Sequence, residues 1–124
     1  MEKTQKGEKQ MKKYDENGRV DYKKDSNGGE EWYEYDKKGN KIRVITLYGF
    51  EERWTYNKKG RLVHYSSMLD GHFGYQQSFE YNENGKLIYT KDSDGCEEWF
   101  NEDEELIHRK SVNGEEWFNK HETE

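Results

Sequence analysis

One short string recurs down most of this chain: an aromatic, then Asp or Asn, two polar residues, Gly, and soon after an aliphatic. The copies read YDENGRV (14–20), YDKKGNKI (35–42), YNKKGRLV (56–63) and YNENGKLI (81–88). A degenerate copy, FNEDEELI (100–107), follows, and FNKHE (118–122) reads as a truncated last one. The leading aromatics Tyr14, Tyr35, Tyr56, Tyr81, Phe100 and Phe118 are spaced 21, 21, 25, 19 and 18 residues apart. A period near 20 is the mark of stacked supersecondary units, each burying its apolar side against the next.

A second turn lies about ten residues after each first one: DSNGG (25–29), LYGF (47–50), LDGHFG (69–74), DSDG (92–95) and SVNG (111–114). Segments of five to eight residues remain between turns, which suits strands and is too short for helices. They are rich in Trp, Tyr, Phe, Ile, Val and Thr, residues at home on a pleated surface, while Ala, the best helix former, is absent. The turn chemistry agrees. Asp15, Asp36, Asn57 and Asn82 are placed to accept bonds from backbone two residues on. Gly18, Gly39, Gly60 and Gly85 supply the positive φ of a type I turn closed by a glycine bulge. The expected fold is all-β: an antiparallel meander of about eleven short strands in tandem hairpin repeats, forming a strongly twisted or rolled single sheet.

Composition by itself points the other way. Only 29% of the 124 residues are hydrophobic, and Leu, Ile, Val and Phe together number 18, a poverty usually associated with disorder. The repeat overrides that reading, because 19 aromatics can supply the burial that aliphatics do not. Tyr33 with Tyr35, Trp54 with Tyr56, and Phe79 with Tyr81 each share a face, and rings are expected to line the inside of a curved wall. The organisation expected is a basic arm over 1–9, the repeat domain over 10–119 and an acidic tail over 120–124.

The string GGEEWYEYDKKGN (28–40) resembles the YD repeat of bacterial RHS-type proteins, and YNKKGRL and YNENGKL match it with Asn for Asp. The resemblance covers roughly residues 14–119. Large RHS proteins wall off a cargo toxin with many such repeats, which implies a β-rich wall here; five units are too few to enclose anything. An Asp-Pro self-cleavage motif is excluded, since the chain has no Pro. In this short form the chain resembles small bacterial or phage proteins built from YD-like hairpins alone.

No catalytic constellation emerges. His64 and His108 fill the same repeat position as Tyr22 and Tyr89, a slot for a flat amphipathic ring. No His-x-x-x-His or Cys-x-x-Cys spacing suggests a metal, so neither a metal nor a cofactor is expected. The lone Cys96 excludes an internal disulfide, and Glu97 and Glu98 beside it make a poor nucleophile of its thiol. No run of about 18 apolar residues and no secretory leader is seen, so a cytoplasmic location is expected.

Charge is the more informative signal. Residues 1–24 carry a net +3, residues 25–91 balance, and residues 92–124 carry −9, which sum to the overall −6. The acidic third holds Glu97, Glu98, Glu102, Asp103, Glu104, Glu105, Glu115 and Glu116, together with Trp99 and Trp117. These ten are the candidate partner-binding residues, an anionic ridge with aromatic anchors for a protein with a basic surface. The plainer reading is a solubilising stretch that guards an edge strand. Net negative charge disfavours nucleic acid. The function expected is a non-catalytic inhibitor of a bacterial nucleic-acid-handling protein, either an immunity protein or a phage-encoded anti-defence protein such as an anti-CRISPR. The alternative is a structural or carbohydrate-binding repeat fragment of an RHS-like surface protein. Free edges also leave room for a homodimer by strand pairing.

Overall fold

A computed structural model describes residues 9–118, so the acidic tail expected over 120–124, and all but the last residue of the basic arm expected over 1–9, lie outside the described residues. Eleven strands follow one another: β1 (Met11–Tyr14), β2 (Val20–Lys24), β3 (Glu30–Tyr35), β4 (Lys41–Thr46), β5 (Phe50–Tyr56), β6 (Leu62–Leu69), β7 (His72–Tyr81), β8 (Leu87–Asp92), β9 (Glu97–Phe100), β10 (Leu106–Ser111) and β11 (Gly114–Trp117). They form one antiparallel sheet whose spatial order is the chain order, with β1 and β11 at its two edges. Among the described residues there is no helix, so none is long and apolar enough to cross a membrane.

The turns carry the register. In seven of them among the described residues, the side-chain oxygen of a leading Asp or Asn accepts the N–H groups two and four residues on. Asp15 Oδ1 takes those of Asn17 and Arg19 at 2.8 and 2.9 Å, and Asn82 Oδ1 those of Asn84 and Lys86 at 2.9 and 3.0 Å. Asp25, Asp36, Asn57, Asp92 and Asn101 repeat the pattern. DSNGG and DSDG, which the sequence sets apart as second turns, therefore close in the same way as the first. At Asp36 the bond from the Asn40 N–H holds the carboxyl below its ordinary value. The fourth residue has positive φ each time, 82° at Gly18 and 81° at Gly85. In the degenerate copy Glu104 takes that place at 61°, a conformation unfavourable to a residue with a Cβ. Register shifts between Lys13 and Tyr14, Glu34 and Tyr35, and Glu80 and Tyr81 are the expected bulges.

Contacts group the chain into two units, one running up to Trp54 and including Ser67–Gly74, the other of Thr55–Ser66 and the residues from Tyr75 on. In the first, Val44 is the buried apolar residue, 6% exposed, opposite Tyr33 on the neighbouring strand. In the second, the buried residues are Ser66 and Thr90, and among the described residues no side chain is wholly enclosed. The expectation that rings line an interior needs correction. Tyr48 and Phe73 are 77% and 64% exposed, and most other rings are half-buried. With no helix or second sheet among the described residues to cover it, a strand side chain is shielded mainly by its row neighbours on the same face.

Candidate functional site

In β8–β11, cross-strand pairing places Tyr89 opposite Trp99, Trp99 opposite His108, and His108 opposite Trp117. Directly opposed residues share a face, so the four rings form one row. Tyr89 and Trp99 are tilted with centroids 5.3 Å apart; Trp99 and His108 stack at 4.4 Å, and His108 and Trp117 at 3.5 Å with planes 4° apart. Carboxylates fasten the row. The Tyr89 hydroxyl donates to Glu97 Oε1 at 2.7 Å; that bond, then burial, pushes the phenol up to about 12. His108 Nε2 lies 3.2 Å from Glu115 Oε1. A second row on the same face runs Lys91, Glu97, Lys110, Glu115, alternating in sign.

The opposite face carries Thr90, Glu98, Arg109 and Glu116 in register. Arg109 Nε and Nη2 both donate to Glu98 Oε2, at 3.0 and 2.9 Å, and Nη1 lies 3.6 Å from Glu116. The bond to Glu98 raises the Arg109 pKa above its ordinary value. Glu102, Asp103, Glu104 and Glu105 form a turn: the first three are exposed, and Glu105 accepts from Asn101 Nδ2 at 3.0 Å. Glu104 Oε2 accepts the Leu87 N–H at 2.9 Å.

The ten candidate residues are thus three groups instead of one ridge. Glu97, Trp99, Glu115 and Trp117 come together; Glu98 and Glu116 lie behind them; Glu102–Glu105 sit in a turn. Strand alternation separates Glu97 from Glu98 and Glu115 from Glu116, because adjacent residues point to opposite faces. Cations answer the acids on both faces. Tyr89 and His108 belong to the ring row although charge counting passes over them; their shared repeat position was the signal. Cys96 is half-buried, and burial first, then Glu98 and Asp92, pushes its thiol up.

The first unit repeats part of this arrangement. Tyr22 and Trp32 stand 5.5 Å apart at 54°, and the Tyr22 hydroxyl donates to Glu30 at 2.8 Å. The Lys41 ammonium lies over the Tyr33 and Trp54 rings at 5.7 and 5.0 Å. Tyr33 donates to Glu31, and burial, then that bond, pushes its phenol up to about 12. Arg43 bonds Glu51 at 2.7 Å and Glu34 at 3.0 Å. At the β4–β5 and β6–β7 hairpin tips, joined by the Asp70 N–H to Gly49 at 3.1 Å, Leu47, Tyr48, Leu69 and Phe73 are exposed. A cleft of about 420 Å³ lies beside Lys23, Asp25, Glu30, Glu31 and Tyr48.

No family model matches the chain, and no curated protein matches its sequence. Solved structures do. A crystal structure of TcdB2-TccC3-TEV aligns with a TM-score of 0.54 at 12% identity, covering 81% of this chain and 7% of that one. The Photorhabdus luminescens Tc holotoxin pore, carrying a TccC3 point mutation, aligns at 0.50 and 13% identity, covering 82% and 7%. At such identity the likeness shows the fold alone, and this chain spans 7% of the length of either match.

Proposed function

We propose that this chain is a structural, non-catalytic repeat segment that builds β wall of the RHS type. The observation that carries the reading is a bond between repeats: the Tyr35 hydroxyl donates to the Val20 carbonyl, and the Tyr81 hydroxyl to that of Leu62, both at 2.6 Å. In each case the motif tyrosine of one copy reaches the residue two past the turn glycine of the copy before it. The aromatic and the Asp/Asn-x-x-Gly of the motif thus serve propagation of the sheet, which is what a wall requires. The Tc toxin chains of similar fold contain RHS/YD-repeat shells, which supports the same reading. Inhibition of a basic partner rested on a single anionic ridge. The division of those acids between two faces and a turn, with Arg109, Lys91 and Lys110 among them, removes its main support.

The test is excision of one period. Deleting residues 36–56 joins Tyr35 to Asn57 and regenerates the motif as YNKKG. A modular wall remains folded, with β circular dichroism, a single cooperative transition and a smaller denaturant slope, because less surface is exposed on unfolding. A chain that loses its β signal altogether refutes the modular reading.

A further inference from the structure

The two edges of the sheet differ in charge. β1 presents Met11, Lys12, Lys13 and Tyr14, and β11 presents Gly114, Glu115, Glu116 and Trp117, all of them exposed. Each strand has a single strand neighbour among the described residues, so each leaves one row of N–H and C=O groups without a ladder. Strand alternation puts Lys12 and Lys13 on opposite faces of β1, and Glu115 and Glu116 on opposite faces of β11. We propose that β11 of one copy adds to β1 of a second copy, extending the sheet head to tail.

The argument holds for either strand direction. Whichever way the two edges meet, each face of the joint brings one lysine beside one glutamate. A β11–β11 joint would set Glu against Glu on both faces, and a β1–β1 joint Lys against Lys, so like edges repel. The chain already uses this pairing internally: Lys23 faces Glu31, Lys24 faces Glu30, Lys91 faces Glu97, and Lys110 faces Glu115. The joint also covers Trp117, which is 72% exposed at the end of the ring row and stacked on His108. A cation lying on a ring at such an edge has its counterpart in Lys13, whose ammonium sits 5.1 Å from the Tyr22 centroid. Because the joint is heterologous, each joined pair keeps one β1 and one β11 edge and accepts further copies. This inference does not depend on the wall reading, and the excision described above leaves both edges intact.

Sedimentation equilibrium of the full chain over a concentration series tests it. At low salt the average mass rises with concentration past that of a dimer. Going from about 0.1 M to about 1 M salt, where the screening length falls from about 10 Å to about 3 Å, weakens association roughly tenfold or more. Lys12→Glu with Lys13→Glu abolishes self-association, as does Glu115→Lys with Glu116→Lys. Mixing the two variants restores it, and so does the fourfold swap in one chain; circular dichroism establishes that each variant is folded. A wild type that stays monomeric at low salt, association that stops at dimers, or folded variants that fail to complement one another overturns the proposal.

Discussion

The hydroxyl of Tyr81 donates to the carbonyl oxygen of Leu62, 19 residues earlier, at 2.6 Å. Tyr35 does the same to Val20 across 15 residues. At the joint that follows Tyr81 the ring is Phe100, which has no hydroxyl, and Leu87 is held through its N–H by the carboxylate of Glu104. The degenerate copy thus replaces the tyrosine tether with a different one, using the residue that also stands where the turn glycine should be.

Removing a tether leaves a half-buried carbonyl without that partner. Tyr35→Phe and Tyr81→Phe each lower the unfolding free energy by about 1 kcal/mol in denaturant titration. Tyr14→Phe, at an exposed ring, changes it by less than about 0.5 kcal/mol. Equal effects at all three positions would remove the tether from the account.

Two turn glycines separate backbone strain from crowding. Gly60 and Gly85 share a positive φ, 84° and 81°, but a Cβ on Gly60 meets nothing within 4 Å while one on Gly85 overlaps the Arg61 guanidinium. Gly60→Ala costs about 1–2 kcal/mol from φ alone. Gly85→Ala costs more, because Arg61 must leave its place, and Arg61→Ala in both backgrounds makes the two equal.

The ring row predicts a gradient of cost. Trp99 lies between Tyr89 and His108, whereas Trp117 has a ring neighbour on one side among the described residues. Trp99→Ala destabilises by about 3 kcal/mol. Trp117→Ala in the monomer costs about 0.5–1.5 kcal/mol, little more than the loss of one ring pair. Thermal or denaturant unfolding at low protein concentration reads the difference.

Alkaline titration separates the tyrosines. Tyr33 and Tyr89 ionise near pH 12, against an ordinary value of 10.0. A phenol raised in the folded state contributes its full stabilisation below pH 10 and loses it as pH rises through 12. Ultraviolet absorbance should show a late phenolate phase near pH 12, coupled to loss of β circular dichroism. Tyr89→Phe should reduce that phase.

The meander was legible in the residues because its determinants are local. An Asp or Asn that caps its own turn, a glycine at positive φ four residues into the motif, and segments too short for helix act within a single hairpin. The slot shared by Tyr22, His64, Tyr89 and His108 was legible for the same reason, since repeat alignment reports position along a strand. The acidic ridge was misjudged because counting charge along a sequence ignores the two-residue period that sends neighbours to opposite faces. Enclosure of the rings was misjudged because an aromatic residue reports a preference for pleated surface and says nothing about whether a second layer covers it.

The order of residues alone therefore determined eleven strands, their hairpin connections and their turns, because each depends on contacts within about ten residues. The tertiary structure decided which rings stack, which acids meet a cation, and that Lys12 and Lys13 lie on one sheet edge and Glu115 and Glu116 on the other. Those relations are set by the register across each hairpin and by the face to which each side chain turns, which the turn motif by itself does not state.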